Sequence, residues 1–290
     1  MITFRNERVL SFSLEYQDLY WEIDPTREDL QEYVYYVERS ESEAGPWVEI
    51  TGPMIDRYYL RDNSFPAISV NRVFFYRIHV VHTPSGNESW SRTFNRRGEL
   101  PLDALEIVRN EQVLFREFVG TKNWLFPRKT FGQTCPQCWD PALRKRLDDS
   151  CGMCFGTGFS GGYHYPVAFW GQKDPGEKQE QVSQQLHQQT MMAMLRMGPT
   201  PFVKPLDLII DHQNLRHRVV SIGGTARLGV PVQQQIRFQQ VQRGSIEDTI
   251  PLRVDLNDLD LVPDRLFSNP QTLDAEAEIG LSTLMSAYSR

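Results

Sequence analysis

The sequence predicts a mainly β protein in which two β domains are joined by a helix and a small metal-binding unit. Three observations predict this fold class. Short β-branched and aromatic runs alternate with turn signals in the first part of the chain, and similar runs return in the last part. All four cysteines lie within one stretch of twenty residues. The 290 residues are 40% hydrophobic and 11% aromatic, which is enough for more than one hydrophobic core.

Residues 1–98 predict a β-sandwich. Short runs rich in β-branched and aromatic residues follow one another with turn signals between them, as is typical of two packed antiparallel sheets. In the sixth run, Phe74, Tyr76, Ile78 and Val80 fall on one face, which we expect to be buried. The runs span residues 9–14, 19–23, 33–40, 47–50, 56–60, 73–82 and 88–94.

Residues 99–120 predict a linking helix that leads out of the sandwich. Apolar residues recur at helical spacing, and Asp103 is placed to cap the first turn. A plain packing linker is the simplest role for this helix. The expected apolar stripe consists of Leu105, Val108, Phe115, Phe118 and Val119.

Residues 166–254 predict a small β-barrel, which we expect to be open. The segment 180–195 reads equally well as a strand or as a helix, because its apolar residues fit neither period cleanly. The candidate strands are YPVAFW, the segment 180–195, and residues 207–211, 216–222, 232–243 and 248–254.

Residues 255–290 carry seven acidic and two basic side chains, a local net charge of −5. We interpret them as an acidic C-terminal arm that either becomes ordered against a partner or frays.

A four-cysteine motif occupies the unit predicted at 121–165, where Cys135 and Cys138 are followed, after twelve intervening residues, by Cys151 and Cys154. Two residues between paired ligands fit a tight turn, and two such turns complete a tetrahedral site with Zn–S distances of ~2.3 Å. We therefore predict one structural Zn²⁺. Four thiolates leave no open coordination position, so the ion is not expected to be catalytic. A redox CxxC pair and an iron–sulfur cluster are the alternatives.

The surroundings of this motif allow two readings. Residues 120–165 carry a local net charge of +3 with aromatic residues interleaved, a composition that can bind single-stranded nucleic acid by stacking. The same aromatics can simply pack around the metal, and we favour that reading. His164 is interpreted as a packing or surface histidine and not as a ligand.

Several function classes are disfavoured. The net charge of −6 gives no general attraction to nucleic acid or to an anionic membrane. No stretch approaches the ~20 apolar residues of a membrane span, and the first residues do not read as a secretion signal, so a protein made in a cytoplasm is expected. No phosphate-binding glycine loop, GxSxG, HExxH or convincing acid pair is present. We therefore predict no catalytic residues, no cofactor-binding residues and no enzyme activity.

The first domain resembles the fibronectin type III family. The resemblance rests on Trp21, on the phrase YVYYVERSESEAGPWVEI, on the strand FYRIHVV and on the following SGNESWS. It implies that Trp21 packs in the core and that Tyr76 supports it. Such domains are interaction or spacer modules, so this fold alone decides no function.

A second resemblance starts from the phrase CPQCWDPALRKRLDDSCGMCFGTGFSGGYHYPV and covers about residues 115–254. The phrase is similar to the cysteine knuckle of small virion structural proteins from tailed bacteriophages. The similarity continues through KPLDLII, HRVVSI and GVPVQQ. The CxxCxGxG half also resembles DnaJ-type zinc repeats, but the first half lacks the GxG and no HPD tripeptide is present, so that family is rejected.

The phage resemblance implies a head–tail connector or neck component. Such a protein self-associates into a ring, typically of six or twelve copies, and docks on neighbouring portal, connector or tail proteins. It would be found in the virion after synthesis in the host bacterial cytoplasm. Immunoglobulin-like modules decorate virion surfaces, which suits the first domain. The exact position of the protein within the virion stays open. The alternative function is a zinc-ribbon nucleic-acid-binding protein.

Overall fold

The computed structural model describes residues 2–10, 16–64, 73–96, 102–183, 186–227 and 230–252. Within these ranges the protein is mainly β, with two packed sheets at the N-terminal side, one α-helix, a four-cysteine unit and a closed barrel. The predicted mainly β fold is therefore confirmed. The predicted acidic arm, 255–290, lies outside the described residues. No described helix has the length and apolar character needed to cross a bilayer.

Nine strands of the described residues build the N-terminal sandwich, and all of their pairings are antiparallel. One sheet has the order β1-β2-β6, and the other has the order β4-β3-β7-β8, with β5 on β3 and β9 on β7. The strands are β1 (Phe4–Leu10), β2 (Gln17–Ile23), β3 (Tyr33–Ser40), β4 (Val48–Glu49), β5 (Met54–Ile55), β6 (Tyr59–Asp62), β7 (Phe75–His82), β8 (Asn87–Trp90) and β9 (Phe94–Asn95).

The core between these sheets is dominated by aromatic side chains. Trp21, Tyr35 and Tyr76 are fully buried and belong to one apolar cluster that draws on both sheets. The Tyr76 hydroxyl donates to Gln17 Oε1 at 2.8 Å and lies 3.0 Å from Asp62 Oδ2, so its polar end is satisfied inside the core. The predicted burial of Trp21 and of the Tyr76 face of β7 is confirmed. Membership of the fibronectin type III family stays a prediction.

Two sandwich strands begin three or more residues away from their predicted starts. The first strand begins at Phe4 and not at residue 9, because its pairing with β2 extends to Phe4 opposite Ile23. Residues 11–14 of the predicted strand lie outside the described residues. The strand predicted at 56–60 begins at Tyr59. Asp56 has a left-handed backbone (φ 53°), which a continuous strand does not accommodate.

The linking helix α1 spans Leu102–Val113 and continues into a single π-helical turn, Leu114–Phe118. Asp103 lies inside the first helical turn and does not cap it, which corrects the prediction. The predicted stripe is correct as far as Phe115, which is buried, but Phe118 is 72% exposed. The wider π turn shifts the following residues off the 3.6-residue period, so Phe118 and Val119 face solvent.

The C-terminal domain is a closed six-stranded barrel, not the open barrel that was expected. Its strand order is β10-β13-β14-β17-β16-β15, and neighbouring strands are antiparallel. A two-stranded hairpin, β11–β12, interrupts the chain between the first two barrel strands. The strands are β10 (Thr121–Phe126), β11 (Trp139–Asp140), β12 (Lys145–Arg146), β13 (Val167–Ser183), β14 (Leu186–Met197), β15 (Leu208–Ile210), β16 (Arg216–Arg227) and β17 (Val230–Gln240).

The barrel corrects three further expectations. Residues 121–126 were assigned to the metal-binding unit, but they form β10, which pairs with both β13 and β15 and closes the barrel. The described residues of the ambiguous segment 180–195 belong to strands β13 and β14 and do not form a helix. The strand predicted at 248–254 is absent from the described part, where Ile246–Thr249 form a short 3-10 helix.

The sandwich rests directly on the barrel through Asp18 of β2, which is completely buried. Its carboxylate accepts hydrogen bonds from Tyr59 and Arg61 of its own domain at 2.6 and 2.8 Å. It also accepts one from Thr200 Oγ1 at 2.7 Å, which comes from the loop after β14. A buried carboxylate needs such donors, and here one of them belongs to the other domain.

Candidate metal centre

The four cysteine side chains converge on one point between β10 and β13. All four are buried and none forms a disulfide. Their Sγ atoms lie within 4.8 Å of one another, with 3.7 Å between Cys135 and Cys151 and 3.4 Å between Cys138 and Cys154. Sulfurs placed ~2.3 Å from a tetrahedral metal lie ~3.8 Å apart. The cluster therefore has the size of a four-thiolate metal site and can bind a metal ion.

The two CxxC turns share one backbone hydrogen bond. In each turn the carbonyl of the first cysteine accepts a hydrogen bond from the amide four residues later: Trp139 donates to Cys135 at 3.1 Å, and Phe155 donates to Cys151 at 2.9 Å. Two equivalent turns facing each other present four sulfurs from two directions. This is the arrangement that the paired spacing predicts.

Backbone amides also point at the sulfur of the first cysteine in each turn. Those of Gln137 and Cys138 donate to the Cys135 thiol. In the second turn the amides of Met153 and Cys154 donate to the Cys151 thiol. Such N–H groups stabilise a thiolate, which is the form of cysteine that binds metal.

The protonation of the thiols reflects their crowding. Burial raises the pKa of the Cys135 thiol, and burial together with the neighbouring thiols raises that of Cys138. Burial would also raise the pKa of Cys151, but hydrogen bonds from the backbone and from the neighbouring thiols together outweigh burial and lower that pKa to about 7. Four thiolates this close together repel one another, and a bound cation removes that repulsion.

Glycines let the chain turn back immediately after the second pair of cysteines. Gly156, Gly158 and Gly162 all have positive φ. A Cβ atom on Gly162 would lie only 2.7 Å from the carbonyl oxygen of Cys154, and one on Gly156 would lie 2.9 Å from that of Asp149. The GTGFSGG segment therefore needs glycine for close backbone approach as well as for conformation.

Replacing Gly162 with alanine is expected to loosen the centre. Gly86→Ala is the matched control, because Gly86 has nearly the same φ but nothing lies within 4 Å of its Cβ position. The control should cost only about 1–2 kcal/mol of unfolding free energy for its left-handed backbone. Gly162→Ala should cost more and weaken metal retention in competition with a chelator. Equal metal retention by the two variants would contradict this role of Gly162.

The aromatic residues around the centre mostly pack. Trp139 lies 3.5 Å from the Cβ position of Gly158 and tilts against Phe159, with ring centroids 6.4 Å apart. Tyr163 joins an apolar cluster under the barrel with Trp124. These contacts favour the packing interpretation of the interleaved aromatics.

A buried ion cluster of Asp56, Lys129 and His164 ties the metal-binding unit to the sandwich. Lys129 Nζ lies 2.8 Å from Asp56 Oδ2, and His164 Nδ1 lies 2.8 Å from Asp56 Oδ1. The side chains of Asp56 and Lys129 are each only 4% exposed. Lys129 Nζ also donates to the carbonyl of Ser160 at 3.1 Å, just after the second CxxC turn. Asp56 belongs to the sandwich, so this interdomain ion cluster couples its position to the fold around the cysteines.

Electrostatics support the interdomain ion cluster. Burial would raise the pKa of Asp56, but His164 and Lys129 outweigh it through charge and hydrogen bonds and lower that pKa. The Asp56 carbonyl also accepts a hydrogen bond from the Tyr165 amide at 3.1 Å. His164 thus packs between the sandwich and the metal-binding unit. Of the two interpretations made from the sequence, a packing or a surface histidine, the first is correct.

Asp207 makes the corresponding connection to the barrel. Its carboxylate accepts backbone hydrogen bonds from Arg128 at 2.8 Å and from Lys204 at 2.7 Å. Burial nevertheless raises the pKa of Asp207 to about 6. Arg128 also donates to the carbonyl of Gly156 in the glycine segment. The segment just before the first cysteine is therefore held from both neighbouring domains.

Sequence reasoning identified the four cysteines but not the residues that support them. Asp56, Lys129 and Asp207 are far apart in the chain and carry no motif. The sequence signal for these supporting residues was the local basic charge of residues 120–165. In the structure, Lys129 forms a buried ion pair with Asp56.

Comparisons with known proteins assign no family to this arrangement. No protein-family model matches the chain. No curated protein matches it either. The resemblance to phage virion proteins therefore stays a prediction, together with the function that it implies.

Proposed function

We propose that the ion held by Cys135, Cys138, Cys151 and Cys154 is Zn²⁺ and that its role is structural. Four thiolates in two facing turns suit zinc, and they leave no position for a substrate or a reactive water. The ion stabilises a segment that has almost no regular secondary structure of its own apart from the β11–β12 hairpin.

We further propose that the protein is a structural component of a tailed-phage virion, a neck or head–tail connector ring protein that acts through protein–protein assembly. The observation that carries this proposal is the extended phrase around the cysteines, from Cys135 to Val167, which is far more particular than a bare zinc motif. Its packing supports an assembly role, since the unit is inserted between two barrel strands and braced against the sandwich.

In this proposal the function is geometric. The barrel packs on its neighbours around a ring, and the metal-binding unit braces the barrel. The fibronectin-like sandwich points outward toward a capsid, a fibre or the host environment. The interdomain ion cluster holds the sandwich at one angle, as a ring component in contact with several partners requires.

The direct test is the location of the chain in a particle. Virions are purified from cells that produce the phage encoding this chain and are examined by mass spectrometry and cryo-electron microscopy. The chain is expected in a ring of six or twelve copies next to the portal or the tail. Purified particles that lack the chain would rule out a virion role.

A zinc-ribbon nucleic-acid-binding protein is the second candidate. It is favoured by the β11–β12 hairpin, where Leu143, Arg144 and Lys145 are exposed while Arg146 pairs with Asp149. This function predicts binding to single-stranded oligonucleotides that weakens steeply as salt increases. Negligible binding at low salt would exclude it.

A further inference from the structure

The barrel carries a long unpaired strand edge on β16. Strand β15 covers β16 only from Arg216 to Arg218, and the Val219 backbone still bonds to the segment before β15. From Val220 to Arg227 no other strand in the described chain lies along this edge. On the opposite edge, β17 pairs from Ser221 to Arg227 with one register shift between Thr225 and Ala226. Unpaired backbone N–H and C=O groups of this kind form a template for another strand.

This edge has little of the usual protection against strand addition. Natural edges are blunted by proline, by charged side chains, by β-bulges or by a covering element. Register irregularities occur here only near the two ends, at Val220 and between Thr225 and Ala226. The stretch VSIGGTAR contains no proline and a single charge, Arg227. Val220 is 42% exposed, and most of the residues that follow it are exposed as well. The two adjacent glycines present no side chain that would keep another backbone away.

A second free edge lies on β13. Strand β10 pairs with β13 only from Val167 to Gly171, whereas β13 runs on to Ser183 with β14 as its one described neighbour. The free part of β13 begins beyond Thr121, where β10 starts. The free part of β16 begins beyond Leu208, where β15 starts. Strands β10 and β15 pair antiparallel, so their starting residues, Thr121 and Leu208, lie at opposite ends of the barrel, and the two free edges do as well.

We propose that the β16 edge of one copy pairs with the β13 edge of the next copy and that this pairing is the self-association contact of the protein. A strand edge is satisfied by another strand edge, and these two are the longest free edges on the described barrel strands. Shorter ones remain at residues 186–191 of β14 and 230–233 of β17. Eight residues of β16, Val220 to Arg227, face the β13 edge from Gln172 to Ser183. Pro175 has no N–H and the β13 register shifts between Asp174 and Glu177, so regular pairing is expected from Glu177 to Ser183. Such a pairing makes roughly one backbone hydrogen bond per residue.

Contact between two different surfaces is heterologous, and repetition of a heterologous contact closes into a ring when its rotation allows. The inference thus rests on the self-association part of the proposed function and names the surfaces that carry it. A ring held by another surface would leave both edges unpaired.

Hydrogen exchange on the full-length protein tests the contact. Amide exchange is followed by mass spectrometry while the protein is diluted from its oligomer to its monomer, with the mass of each state measured separately. In the oligomer, exchange in 220–227 and in 172–183 should slow together by roughly tenfold or more. An oligomer in which neither segment slows overturns the inference, and so does a chain that stays monomeric at every concentration.

Two adjacent proline variants, Gly223→Pro and Gly224→Pro, provide the second measurement. Neighbouring residues of a strand direct their N–H groups to opposite edges, so one of these prolines removes a group that faces the free edge and the other removes one that faces β17. The variant that keeps its near-ultraviolet dichroism and melting temperature should associate at least tenfold more weakly than the native chain. Native-like association by that variant would overturn the inference.

The outcomes are separable from those of the particle experiment. If the chain is found in virions but exchange at both edges is unchanged, the virion role stands and the edge pairing fails. If the edges become protected in solution but virions lack the chain, the pairing stands and the virion role fails.

Discussion

Replacing Cys138 with serine is expected to remove the metal and to unfold the segment around the cysteines while the sandwich stays folded. Structural zinc contributes roughly 10–16 kcal/mol in small zinc domains, so losing one of four thiolates removes a large part of what holds residues 127–165 together. Metal content of the purified variant and hydrogen exchange in 127–165 measure the effect. Exchange in β3, in the sandwich core, should change far less.

Met153→Ser is the matched control for this substitution. Met153 lies between two ligands in the second turn, is 43% exposed and contributes no side-chain ligand. The control should therefore keep its metal. Cys154→Ser should behave like Cys138→Ser. Full metal retention in both cysteine variants would show that the ligand assignment is wrong.

Replacing Asp56 with asparagine is expected to have the largest effect outside the metal site. Asparagine fills the same space and tolerates the left-handed backbone of residue 56, so the variant removes mainly the charge. Lys129 would then stay buried without its carboxylate. Removal of one partner from a buried ion pair costs about 3–5 kcal/mol of unfolding free energy, which chemical denaturation of the full chain measures.

Two further variants make this result specific. Asp24→Asn removes an exposed carboxylate that lies 3.6 Å from Arg5, and a surface pair of this kind is worth ~0–1 kcal/mol. Adding Lys129→Met to Asp56→Asn should recover part of the loss, because the unpaired charge disappears. A loss for Asp56→Asn no larger than that for Asp24→Asn would contradict a supporting role for the interdomain ion cluster.

Stability should also depend on pH through Asp56. The pKa of Asp56 is lower in the folded protein than the ~3.9 of an unfolded aspartate, so the folded state binds this proton more weakly. The contribution of Asp56 is therefore complete above about pH 4 and is lost as the pH falls through the folded pKa. Unfolding free energy measured against pH should fall more steeply on the acid side for the native chain than for Asp56→Asn. Identical slopes would argue against an ionised Asp56 in the fold.

The parts of the fold that sequence predicted are those encoded locally. Alternation in β7 and the paired spacing of the cysteines each lie within a few neighbouring residues, so the buried face and the thiol cluster followed directly. Strand β10 was missed because the metal-binding unit separates it from β13, and its other partner, β15, lies more than eighty residues away. Barrel closure depends on those two pairings and has no local signature.

The residues around the metal centre show the same division. Cys135 and its three partners carry a motif, whereas Asp56 and Lys129 meet only after two domains have docked. The end of the linking helix was misjudged for a different reason. A π turn obeys a different period, and nothing in LFREF distinguishes it from ordinary helix.

The most direct test of the central claim is native mass spectrometry of the full-length chain, with and without a strong chelator. The mass of the purified chain should exceed that of the polypeptide by one zinc ion, and all four thiols should resist alkylation until the chelator is added. Loss of the ion should coincide with faster hydrogen exchange in 127–165 and should spare the sandwich core. A metal-free chain with four reactive thiols and an unchanged exchange pattern would contradict the claim that these cysteines bind a structural zinc ion.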